Sequence, residues 1–130
     1  MIVGRGKLLM EYNKSNLEEH LNTALSNALM NLDPLKNYYS NTDLTVEIEI
    51  LQWILDIAQK MPHNLNFLKE LVKKEIDNFK IKYYYTNDIN EIGKLTKSLE
   101  ILQTCLFLIT MELEFQQLYS INGIIKNNLT

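Results

Sequence analysis

Seven apolar residues near the end of the chain, Ile92, Leu95, Leu99, Leu102, Leu106, Ile109 and Leu113, recur at spacings of 3, 4, 3, 4, 3 and 4. A strand alternates with a period of two, so no sheet holds all seven on one face. An α-helix does, along the heptad seam of coiled-coil-like packing. The pattern predicts one helix from about Asp88 to Ser120, about 50 Å long at 1.5 Å per residue. Asp88-Ile89-Asn90-Glu91 reads as a capping box at its start, and Asn122-Gly123 as its stop signal. Gly93 is the weakest point, where a kink or break shortens the helix by a turn. Ile101, Cys105, Leu108, Phe115 and Leu118 make a second apolar face.

Three shorter helices precede it. Ser15-Asn16-Leu17-Glu18 is a capping box, followed by Leu17, Leu21, Ala24, Leu25, Ala28, Leu29 and Leu32 at helical spacing; Asp33-Pro34 ends the run. Leu35 to Asn41 reads as a connection holding at most a short helical turn. Thr42 or Asp43 caps a second helix that ends at Met61, before Pro62. Val46 to Ile50 alternates like a strand, but the continuation through Trp53 to Ala58 restores a helical period. Two adjoining apolar stripes make this the central helix. Asn64 caps the third, with Leu65, Leu68, Val72, Ile76, Phe79 and Tyr83 as its stripe, fading around Tyr84 to Asn87.

The expected fold is therefore all-α, a four-helix bundle with a long heptad-patterned C-terminal helix. A flexible arm at 1–14 precedes the domain at 15–123, and a tail at 124–130 follows it. At 130 residues, with 46% apolar and 22% charged residues, the chain is sized and composed as one globular domain. A net charge of −3 disfavours a generally cationic nucleic-acid binder, and a single cysteine excludes an intramolecular disulfide. The run from Ile101 to Met111 is too short to cross a bilayer, and Leu8-Leu9-Met10 too short for a secretory core. A cytoplasmic protein without membrane contact is the default.

Catalytic groups are few. His20 lies on the polar side of the first helix and His63 in the turn after Pro62, both expected in solvent. Neither has a carboxylate at Glu-x-x-His spacing, so no metal is expected. Cys105 lies on an apolar stripe with no base within a helical turn, which argues for packing rather than thiolate chemistry. Gly4-Arg5-Gly6-Lys7 lacks the spacing and the hydroxyl of a phosphate loop. Glu47 and Glu49, two apart, point in nearly opposite directions, but Asp43, Glu47, Glu49 and Asp56 give the second helix four acids and no base before Lys60, a charge balance suited to a basic surface. No catalytic residue, metal ligand or cofactor is assigned.

Two surfaces remain. Lys73, Lys74, Lys80 and Lys82 beside Tyr83, Tyr84 and Tyr85 combine backbone neutralisation with stacking rings, the needs of a weak nucleic-acid contact through Lys73, Lys74, Lys80, Lys82, Tyr84 and Tyr85. Glu70, Glu75 and Asp77 dilute it. The long helix outgrows its neighbours, so Leu95, Leu99, Leu102, Leu106, Ile109 and Leu113 are expected to mediate self-association, most simply as a homodimer. A non-enzymatic interaction protein, with a protein partner besides itself, is the leading expectation. An accessory nucleic-acid-binding subunit comes second. A small-molecule-binding bundle, with Gln103, Thr104, Cys105 and Thr110 as its polar groups, comes third.

Overall fold

The computed structural model describes residues 16–32, 38–61 and 63–129, with side chains at 17–32, 42–61 and 63–118. Four helices follow one another: α1 (Asn16–Asn31), α2 (Tyr38–Lys60), α3 (Leu65–Tyr85) and α4 (Ile89–Leu129). There is no strand among the described residues. The N-terminal arm and Ser15 of the first capping box lie outside them.

Periodicity decides which side of each helix goes in. Leu17, Leu21 and Ala28 are buried on α1, with Ala24 and Leu25 packed against the core beside them. On α3 the buried residues are Leu65, Leu68, Val72 and Ile76. The two stripes of α2 bury Ile48, Ile50, Leu51, Ile54, Leu55 and Ala58, and Trp53 packs against the cluster. Each of these larger side chains contributes about 1.5–3 kcal/mol when fully removed from water. The strand-like Val46 to Ile50 is helical because the apolar residues after it lie on helical stripes, and their burial sets the backbone of the whole segment.

Both α2 and α4 touch all three other helices, as the breadth of their apolar surfaces requires. The most extensive interface is between α3 and α4, which only Thr86, Asn87 and Asp88 connect, so the two run antiparallel. Side chains cap the start of each of these two helices. The Asn64 Oδ1 atom accepts from the Phe67 amide at the start of α3 (3.2 Å). At the start of α4, Asp88 Oδ1 accepts from the Asn90 amide (3.0 Å). Glu91 accepts from the Thr86 hydroxyl (3.0 Å), which in turn accepts from the Asp88 amide (3.3 Å). Asp88 thus caps the helix, whereas its own amide bonds to the Thr86 hydroxyl and not to Glu91 as a capping box would have it.

Helix ends depart from expectation in two places. First, α2 begins at Tyr38, four residues before Thr42, so most of the expected connection is its first turn. Second, α4 neither breaks at Gly93 nor stops at Gly123. A helical glycine costs only about 1 kcal/mol relative to alanine, less than the burial of Leu95 next to Gly93 returns. No described glycine adopts a positive φ, so Gly123 does not form the left-handed cap its sequence suggests. The segment read as a tail from residue 124 continues the helix to Leu129.

Candidate functional site

The groups that chemistry requires are kept apart. Cys105 is 2% exposed, and burial first, then the charge of Glu47, pushes its thiol up to about 12. A thiol held neutral this way is a poor nucleophile. His20, Glu47, Lys97 and Glu100 surround a recess of about 170 Å³ over it, between α1, α2 and α4. That is smaller than the roughly 300–1,000 Å³ usual for a ligand site. His63 is exposed in its turn. No cluster of metal-ligating side chains occurs among the described residues. Of the acids on α2, Asp56 pairs with Lys60 on the surface (3.0 Å) while Glu47 turns to the recess, so the four do not act as one face.

The polar groups of α4 do not converge either. The Thr104 hydroxyl donates to the Glu100 carbonyl (2.9 Å) and Thr110 to the Leu106 carbonyl (2.8 Å), each within its own helix. Gln103 and Thr104 line an open groove of about 620 Å³ between α4 and the end of α3, together with Tyr83, Leu99 and Phe107.

The lysines and tyrosines of α3 are all exposed but do not share a single face. At 100° per residue, Lys73, Lys80 and Tyr84 fall on one stripe with Asp77 between them, Lys74 and Tyr85 on a neighbouring one, and Lys82 well away. Lys73 leans toward Glu70 (3.8 Å). Lys82 lies 5.1 Å from the centre of the Phe79 ring. Tyr84 and Tyr85 meet edge to face, with centroids 5.1 Å apart.

The heptad seam of α4 faces inward, which corrects its expected role. Leu95, Leu102 and Ile109 are buried, and Leu99, Leu106 and Leu113 pack against the same core. Helices α2 and α3 pack along this seam, so its six residues hold the bundle together, with Leu99, Leu106 and Leu113 only partly buried. Sequence spacing alone cannot say which neighbour a seam meets.

An exposed apolar stripe lies on the opposite side of the same helix. Phe107, Met111, Phe115 and Leu118 are 63%, 51%, 41% and 60% exposed. Their spacings of 4, 4 and 3 gather them within about 80° of arc, centred roughly opposite Leu102 and Ile109. Every residue from Glu114 to Leu118 is exposed. Phe115 and Leu118 are legible in the sequence as part of a second apolar face, whereas Phe107 and Met111 escape it. Their signal is a 4-4-3 spacing that becomes visible once the inner seam has been subtracted.

Comparison with family models, curated proteins and solved structures gives no match. No described helix is long and apolar enough to cross a membrane.

Proposed function

We propose that the protein is a non-enzymatic helical module that works by association, with itself in the first instance. The observation that carries this reading is the outward stripe of Phe107, Met111, Phe115 and Leu118 on α4, each more than two-fifths exposed. Four large apolar side chains held in one line on a rigid element are what an interface core is made of. The inward direction of the 95–113 seam moves the associating surface to the other side of α4 without removing the reason to expect one. A homodimer in the cytoplasm, with a buried unpaired thiol suited to a reducing compartment, is the simplest form of this reading.

Sedimentation equilibrium over a concentration series tests it. The expected result is a reversible species of twice the 15.3 kDa chain mass. A 15.3 kDa species alone at every concentration up to the solubility limit overturns it.

A further inference from the structure

The groove between α4 and the end of α3 has a lining with one chemical bias. Its volume, about 620 Å³, falls within the range of ligand sites. It is open along one side, however, so a small molecule there keeps much of its surface in water. A side chain carried on a larger partner escapes that handicap, because the partner's own body closes the open side.

Glu100 is the only charged residue that lines the groove. Its carboxylate belongs to neither ion pair among the described residues, which join Lys60 to Asp56 and Lys73 to Glu70. Lys97, about a turn earlier, lines the recess on the α1 side instead. The two threonine hydroxyls are already committed as donors, Thr96 to the Ile92 carbonyl (2.7 Å) and Thr104 to the Glu100 carbonyl (2.9 Å). To a ligand they offer lone pairs alone. The carboxylate, both hydroxyls and the Gln103 carbonyl therefore accept, while only the Gln103 amide and the Tyr83 hydroxyl donate.

The rest of the lining is Leu99 with the rings of Tyr83 and Phe107, 45% and 63% exposed. Acceptors around a carboxylate, with aromatic faces beside them, match a cation rich in donors. They are the wrong surroundings for a phosphate or a second carboxylate. Guanidinium suits them better than ammonium, since it bonds a carboxylate through a fork of N–H groups and still stacks on a ring.

We propose that this groove binds an arginine side chain from a basic segment of a partner protein. The guanidinium pairs with Glu100 against the aromatic rings, and the aliphatic stem covers Leu99. From Thr96 to Phe107 the lining runs about 16 Å along the helix, the span of roughly five extended residues. The groove forms within one copy and shares only Phe107 with the outer stripe, so this binding needs no self-association.

Two-dimensional NMR of the full chain, titrated with acetyl-Leu-Arg-Leu-amide, tests the assignment. Saturable shifts should be confined to the amides around Tyr83, those from Thr96 to Phe107, and the Gln103 side chain. The same peptide with citrulline, which keeps the shape and loses the charge, should give none, and neither should the glutamate peptide. Glu100→Gln should weaken binding about fivefold, the size of an exposed ion pair. Glu114→Gln, exposed two turns beyond Phe107, should leave it unchanged. Agmatine, the same cation without flanking residues, should bind about tenfold more weakly because it leaves the groove open. Equal binding of the citrulline or glutamate peptide, equal losses in the two variants, or no shift up to the solubility limit of the arginine peptide overturns the proposal. Agmatine binding as tightly as the peptide overturns it too, in favour of a small organic cation.

Discussion

Ile109 and Met111 stand two residues apart on α4 and face opposite ways, Ile109 0% exposed in the core and Met111 51% exposed on the outer stripe. The same helix is thus both the spine of the bundle and its candidate interface. Substitutions at these neighbours should separate the two roles. Ile109→Ala should lower the unfolding free energy by about 2–5 kcal/mol, the range for emptying a packed core site. Met111→Ser should change the stability of the dilute protein by less than about 0.5 kcal/mol. Its association should nonetheless weaken about tenfold, since an apolar side chain is withdrawn from an interface. Urea denaturation at low concentration reads the first pair of effects, and sedimentation the last. Equal losses of stability in both variants would contradict the division of faces.

The Cys105 thiol gives the fold a marker in alkali. Its folded value, about 12, lies above the ordinary 9.0, so the folded state keeps its proton where the unfolded state releases it. The stabilisation is complete below pH 9 and is lost as pH rises from there toward 12, at about 1 kcal/mol per pH unit. Other groups titrate in the same window, so the measurement is the difference between the native chain and Cys105→Ala. Thermal melts from pH 7 to about 10.5 should show the native protein losing stability faster above pH 9. In the folded protein, a thiol-specific reagent should react only as fast as the helices open.

Gly93 occupies an exposed position inside α4, and a Cβ added there meets nothing within 4 Å. Gly93→Ala should therefore raise stability by about 0.5–1 kcal/mol through helix propensity alone. Chemical denaturation measures the gain. A loss instead would mean that the helix needs to bend there.

The lysines of α3 predict a negative result with a definite alternative. Asp77 lies within the stripe of Lys73, Lys80 and Tyr84, Lys73 leans on Glu70, and Lys82 covers Phe79. Gel-shift assays at low salt should show no retardation of single-stranded or duplex nucleic acid. Retardation that disappears steeply with added salt, and is weakened by Lys80→Gln, would establish a phosphate contact.

Local signals in the chain were enough for the helices themselves. Asn64 and Asp88 cap the helices they were expected to cap, because a cap depends on a side chain and an amide two or three residues away. Apolar periodicity likewise identified Leu17, Leu21 and Ala28 of α1, Leu65, Leu68, Val72 and Ile76 of α3, and the central place of α2, while Leu29, Leu32 and Tyr83 at the far ends of the same stripes are exposed. The glycines misled. The propensity cost of Gly93 and Gly123 is fixed locally, but whether a helix continues through them depends on the rest of the helix.

The periodic placement of leucine and isoleucine is enough to make the last helix a rod with a continuous seam. That follows from 3.6 residues per turn and needs no neighbour. Which seam turns inward is a property of the assembled bundle. Leu95, Leu102 and Ile109 became core because α2 and α3 pack against them, leaving Phe107, Met111, Phe115 and Leu118 on the other side. Burial is a relation between segments distant in sequence, and the spacing within one segment carries no record of it.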